Sequence, residues 1–241
     1  MESPTPFYLN NLAISHHRSP MKIGTDGVLL GAYPKPIKPN DRCLDIGSGC
    51  GIISLMTATA YPLAHYTCLD IDQNATIECS ENIINNALSA ICDTICCDLK
   101  EFRPVGKYFD VIYSNPPFYN DDIKPIDDKK RFAKHIDSLN FEELINSVKV
   151  LLKKSGYFII ILPERVCENF ISIVDKIGLK VQQRLFISSY KDSNVIREIL
   201  TFQFLNKETN VNSEHLFLYN SAQRNDWSEG YKKMLRAFKQ F

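Results

Sequence analysis

From Arg42 onward, short apolar runs alternate with stretches of helical spacing, and this alternation limits the fold more than any other feature of the chain. Arg42-Cys43-Leu44-Asp45-Ile46 reads as a strand, residues 51–60 as an apolar helix, 66–71 as a second strand and 73–87 as a second helix. Strands are expected again at 91–96 and 109–114. Asn140, with Glu143 three residues on, forms a capping-box pattern, so a helix should run from there to about Lys154. The very apolar run 156–162 suits a central strand, and a helix follows from Glu164 to about Ile177. Runs 179–189 and 195–205 have no helix between them and should pair antiparallel. Right-handed crossovers then give a doubly wound, Rossmann-like α/β sheet, mostly parallel with a C-terminal antiparallel hairpin. Residues 1–40 form a lead before the domain at 41–205. Residues 206–241 extend that domain with a short strand near 216–219 and a helix from Ser228.

The 241 residues suffice for one large domain, or one with a modest extension. The 28 Lys and Arg residues balance 28 Asp and Glu, which argues against bulk attraction to nucleic acid, so any RNA affinity must come from placement, as in a local basic patch. No run of 18 apolar residues exists, and residues 1–10 carry no secretory pattern, so no membrane span or export is expected. The eight cysteines form no CxxC pair or Cys/His finger. They read as small buried hydrophobes of a reducing cytoplasm, with Cys43, Cys68 and Cys96 in strands, and no metal site is expected.

The first strand leads into Asp45-Ile46-Gly47-Ser48-Gly49-Cys50-Gly51. Alternate glycines at a strand-to-helix turn permit a tight turn and let a ligand approach the backbone. The spacing is GxGxG rather than the dinucleotide GxGxxG, with Ile52 where the third glycine would fall. Asp45, two residues ahead of the turn, does nothing for a pyrophosphate. It does suit the cationic aminopropyl end of S-adenosylmethionine, reached through water or the loop backbone. Asp70, nineteen positions after Gly51 at a strand end, can accept both ribose hydroxyls; Asp72 could share the role. Asp98, after the third strand, could accept from the adenine amino group.

The fourth strand ends in Ser114-Asn115-Pro116-Pro117-Phe118-Tyr119. Both prolines fix φ, and Pro117 pushes Pro116 toward an extended backbone, so the loop is preorganised. An exocyclic amine conjugated to a ring is a poor nucleophile. The Asn115 side-chain oxygen and the Pro116 carbonyl can accept one N–H each and aim the nitrogen lone pair at a methyl-sulfonium, leaving an in-line displacement helped mainly by positioning. Phe118 can stack on a flat target, and Tyr119 can assist.

The Asn115–Phe118 signature, joined to Asp45–Gly51, resembles the amino-methyltransferases of class I, whose targets include adenine-N6, cytosine-N4 and glutamine-N5. Met21-Lys22-Ile23-Gly24-Thr25-Asp26-Gly27-Val28-Leu29-Leu30-Gly31-Ala32 looks like the opening motif of the bacterial valine-tRNA adenine-N6 methyltransferases, which act at position 37 of the anticodon loop. His16, Arg18 and Met21 also fit that family's lead, and Asn225-Asp226-Trp227-Ser228-Glu229-Gly230-Tyr231 resembles its ending. The resemblance implies that Lys22, Thr25 and Asp26 close one side of the cofactor pocket. It further implies that Gly47, Gly49, Gly51, Asp70 and Asp98 hold S-adenosylmethionine, and that Asn115, Pro116 and Phe118 hold the adenine. Lys124, Lys129, Lys130, Arg131, Lys134 and His135 after the loop, and Lys232, Lys233, Arg236 and Lys239 in the last helix, could reach RNA phosphates. A monomer acting on tRNA is expected. The rival readings are a glutamine-N5 protein methyltransferase, for which some forty residues before the first strand leave too little room, a DNA adenine methyltransferase, and a non-catalytic RNA-binding protein.

Overall fold

The computed structural model describes residues 5–104, 108–117, 141–205, 210–223 and 225–238. A small hairpin, β1 (Phe7–Leu9) with β2 (Leu12–Ile14), and helix α1 (Thr25–Ala32) open the chain. The alternating part follows as β3 (Arg42–Ile46), α2 (Ile52–Ala60), β4 (His65–Asp70), α3 (Gln73–Asn85), β5 (Cys92–Cys96) and β6 (Phe109–Ser114). Next come α4 (Phe141–Leu151), β7 (Leu152–Pro163), α5 (Glu164–Asp175), β8 (Leu179–Ser188) and β9 (Val195–Phe204). Strand β10 (Asn212–Phe217) and helix α6 (Glu229–Leu235) close the described chain, with Ser228 as the helix N-cap.

Eight strands form one sheet in the order β10-β8-β9-β7-β6-β3-β4-β5. Strands β3 to β7 are parallel, and β9 runs antiparallel between β7 and β8. The chain steps outward from β3 to β5, then returns to lay β6 on the other side of β3. Strand order therefore reverses between β3 and β6, where such sheets leave a crevice at their carboxyl ends. The apolar run of β7 is central, as its composition required, and its side chains alternate between two cores. Ile159 and Ile161 face α1, α2 and α3, whereas Phe158, Ile160 and Leu162 face α4 and α5. Phe158, Phe170 and Phe202 fill the second core with ring centroids 5.9–6.3 Å apart.

The departures from expectation are local. Helix α4 stops at Leu151 because β7 already begins at Leu152, which pairs with Phe109, and Lys153 reaches Asp110 at 2.7 Å. The C-terminal strand is longer than expected and lies parallel to β8; Tyr219, beyond it, makes only an isolated bridge to Trp227. Cys96 corrects the cysteine reading: it is exposed, and Cys97 partly so, because β5 is an edge strand, while the other six are buried and all eight are free thiols. The capping residue Asn140 lies outside the described residues. Among the described residues, no helix is long and apolar enough to cross a membrane.

The lead is held by polar side chains spaced one helical turn apart along α3 and its C-cap. Glu78 accepts the amides of His17, Arg18 and Ser19 together with the Ser19 hydroxyl. Burial alone would raise the Glu78 carboxyl, but these donors overcome it and hold it below its ordinary range. Asn82, fully buried, accepts from Ser15 N at 2.8 Å and donates to Ser15 O at 2.8 Å and to Cys50 O at 2.9 Å. Asn86 makes the same paired contact with Ala13. The helix thus serves as a partner strand for the lead, and Asn82 joins that lead to the glycine turn. Replacing Asn82 with Ala strips three backbone groups of their partner, and each buried unpaired group costs about 1–3 kcal/mol. Asn82→Ala is expected to lower unfolding free energy by about 3 kcal/mol in denaturant titration. A loss under about 1 kcal/mol would show that water replaces the amide.

Candidate functional site

The turn after β3 carries three left-handed glycines, Gly47 at φ +71°, Gly49 at +54° and Gly51 at +86°. They serve two purposes. At Gly51 an added Cβ would sit 2.6 Å from Cys79 Sγ and 2.8 Å from Leu55 Cδ1, so this glycine lets α2 pack on α3. At Gly47 and Gly49 an added Cβ would meet nothing within 4 Å, so bare backbone faces open space there. Gly47 N and Ser48 N donate to Leu69 O, and Gly49 N donates to Asp70 Oδ2 at 2.7 Å. Asp70 Oδ1 accepts from Asp72 N, so this one carboxylate stitches the turn to the end of β4. Burial raises Asp70, and the amides of Asp72 and Gly49 pull it back. Asp72 is spent differently: it caps α3 through Ala75 N, which separates two carboxylates that the sequence left as alternatives. Asp98 stands after β5, where it accepts from Lys100 N and keeps a partly exposed side chain.

Asp45 lies wholly inside, behind the turn. Its Oδ2 accepts from Ser54 Oγ at 2.9 Å, and Ser54 Oγ lies 3.1 Å from the Tyr113 hydroxyl. Its Oδ1 has no partner among the described residues. Burial pushes the Asp45 carboxyl up to about 7. Lys35 shares this interior, 5.6 Å from the Tyr113 ring, with Nζ donating to Leu30 O, Gly31 O and Tyr33 O at the C-terminus of α1. Burial pushes Lys35 down to about 7, yet three carbonyl acceptors match the three donors of the ammonium form. Nothing in Tyr33-Pro34-Lys35-Pro36 distinguishes this lysine from a solvated one.

Ser114 Oγ donates to Ile46 O at 2.8 Å and locks the ends of β6 and β3 together. Asn115 and Pro116 therefore emerge at the reversal of strand order. They line a cavity of about 440 Å³ with Met21, Lys22, Gly24, Thr25, Asp26 and Leu29 of the lead. Its far wall is Ile187, Ile196, Arg197 and Leu218, from the ends of β8 and β10 and the start of β9. The structure thus brings Lys22, Thr25 and Asp26 to Asn115 and Pro116. Gly47, Gly49, Asp70 and Asp98 gather on the other side of the reversal, over β3, β4 and β5. Lys22 Nζ donates to His17 O and Ser19 O, clamping its own loop, and Asp26 accepts from Arg197 Nε at 2.8 Å. Sequence reasoning missed the far wall, because strands far downstream of Asn115 supply it and no local motif marks them. Phe118, Tyr119, Lys124, Lys129, Lys130, Arg131, Lys134, His135 and Lys239 lie outside the described residues. Among the described residues, no three His, Cys, Asp or Glu side chains are grouped to hold a metal.

A family model for the methyltransferase small domain matches residues 21–169. A tRNA1(Val) (adenine(37)-N6)-methyltransferase of Bacteroides thetaiotaomicron is 33% identical over 233 residues, covering 96% of each chain. The protein of that name from Bacteroides fragilis is 30% identical over 234 residues, again 96% of each chain. A crystal structure of a predicted O-methyltransferase from Agrobacterium tumefaciens superposes with a TM-score of 0.66 at 15% identity, covering 88% of this chain and 96% of that one. At that identity the likeness speaks for the fold, the doubly wound sheet of the class I methyltransferases. By its sequence and its fold, the chain belongs to the methyltransferase small domain family and, within it, groups with the tRNA1(Val) (adenine(37)-N6)-methyltransferases.

Proposed function

We propose that this chain transfers a methyl group from S-adenosylmethionine to the N6 amino group of an adenine in tRNA, with position 37 of valine tRNA, the target in its relatives' name, as the substrate. The observation that carries this reading is the position of Asn115 and Pro116: at the strand-order reversal, between an open glycine backbone and a cavity of about 440 Å³.

The residues fit the cofactor on the structure's own terms. Bare backbone at Gly47 and Gly49 leaves room for a ligand that a side chain would fill. Gly51 sets the turn, Asp70 is held at a strand end where a ribose diol would lie, and Asp98 stands ready for an adenine amino group. Asp45 acts from behind, as a buried carboxylate whose field favours a cation at the turn. Lys22, Thr25 and Asp26 line the cavity beside Asn115 and would close the cofactor pocket on that side. When bound, the cofactor supplies an electrophilic methyl-sulfonium. The protein contributes positioning. Asn115 Oδ1 and the Pro116 carbonyl each take one N–H of the target amine, turn its lone pair toward the methyl carbon and leave the proton to depart to water after transfer. Phe118 stacks on the extruded base with help from Tyr119, and Lys129, Lys130 and Arg131 contact the RNA backbone. A cytoplasmic monomer suits such a substrate.

Incubating the chain with methyl-labelled S-adenosylmethionine and bulk RNA from a strain lacking the gene should yield labelled N6-methyladenosine in the tRNA fraction. Label in protein instead would favour the glutamine-N5 reading. Asn115→Ala should lower kcat on the order of 100-fold, as loss of alignment does, with the cofactor still bound. A wild-type rate would remove Asn115 from the chemistry. Asp70→Ala should weaken cofactor binding about tenfold or more in calorimetry, the loss of one charge-assisted hydrogen bond. Unchanged affinity would refute its ribose role.

A further inference from the structure

The cavity beside Asn115 is walled half by apolar residues, Met21, Leu29, Pro116, Ile187, Ile196 and Leu218, which suit the face of a flat base, and half by polar residues and glycine. A base pulled from an RNA strand brings its flanking phosphates with it, and those phosphates need a cationic donor beside the base. Charge enters the lining through Lys22, Asp26 and Arg197 alone. Lys22 directs its ammonium back at the carbonyls of His17 and Ser19. Arg197 is built differently. It lies at the start of β9, opposite Pro163 at the carboxyl end of β7, on the rim from which Asn115 emerges. Its Nε donates to Asp26 Oδ2 at 2.8 Å and its Nη1 to Ile196 O at 2.8 Å. Among the described residues nothing accepts from Nη2, and the side chain is one-third exposed. The next residue, Glu198, faces the opposite side of the sheet and pairs with Arg184, so it does not compete.

A pair as exposed as Arg197–Asp26 adds little to stability. What it does is fix the plane of a guanidinium and leave one edge of the fork open at the mouth of the slot. A planar fork with a free edge matches a phosphodiester. We propose that Arg197 grips a backbone phosphate next to the extruded nucleotide and that Asp26 is its positioning residue. This inference rests on the RNA-methyltransferase reading. The lead thereby acquires a second role, since Asp26, in the first turn of α1, sets where the substrate strand enters.

The test compares the full-length wild type with Arg197→Gln, Arg197→Lys and Asp26→Asn, using unmodified valine tRNA and S-adenosylmethionine. Arg197→Gln should raise the tRNA KM at least tenfold with kcat within about threefold, and leave the cofactor Kd unchanged. It should also flatten the plot of log binding constant against log salt by about 0.7 to 0.9, the slope of one phosphate contact. Arg197→Lys keeps the charge and should keep the slope while losing part of the affinity. Asp26→Asn should raise KM less and keep the slope, because the guanidinium remains but is oriented by a weaker, neutral acceptor. An unchanged slope in Arg197→Gln would overturn the proposal, as would a weakened cofactor Kd, which would assign Arg197 to the carboxylate of the methyl donor. The slope is read from tRNA binding by filter retention and needs no turnover. Were the wild type to bind tRNA without methylating it, the adenine reading would fail while Arg197 was still tested.

Discussion

One carboxamide connects the parts of the site. Asn82, buried in α3, holds both backbone groups of Ser15 and the carbonyl of Cys50. Glu78 and Asn86, a turn to either side, extend the grip from Ala13 to Ser19. A short hairpin and an eight-residue helix cannot hold themselves in place, since pieces of that length are marginal in isolation. The hairpin and the segment after it dock on α3 while α1 packs on α2, so that Met21 to Leu29 become one wall of the cavity at Asn115, and the helix that holds the segment also holds the glycine turn through Asn82.

The sheet divides the chemistry in two. Strands β3 to β5 carry Gly47, Gly49, Asp70 and Asp98, while β6 and the antiparallel end of the sheet carry Asn115, Pro116, Ile187, Ile196 and Arg197. The two groups meet only where strand order reverses, and there Ser114 ties β6 to β3. Behind that point lies a buried polar knot of Asp45, Ser54, Tyr113 and Lys35. A buried carboxylate with one orphaned oxygen is costly unless something compensates it. A cation bound at the turn would do so, which ties the interior electrostatics to the proposed cofactor.

Local pattern made much of this legible. Strands β3 and β6 begin and end where alternation and the glycine turn place them, and Ser228 caps the last helix as its residue type suggests. Asp70, Asn115 and Pro116 stand at strand ends because each follows an apolar run directly. What sequence reading missed depends on pairs far apart in the chain. Asn82 reads as an ordinary helix residue until Ser15 is laid against it, 67 positions away. Arg197 reads as a strand charge until Asp26 meets it across 171 positions. Lys35 reads as solvated because nothing local announces that α1 and Tyr113 will enclose it. Cys96 reads as buried because apolar neighbours mark a strand without telling whether that strand is at an edge.

Through α3, the lead and the glycine turn form one mechanical unit. Hydrogen exchange at the amides of Ala13, Ser15, His17, Arg18 and Ser19, with and without S-adenosylmethionine, tests this coupling most directly. If the two move as one, cofactor at the turn will slow exchange along the lead as well, and Asn82→Ala will abolish that slowing while the turn itself is still protected. Protection confined to the turn in the wild type, with the lead amides exchanging at the same rate with and without cofactor, would contradict it.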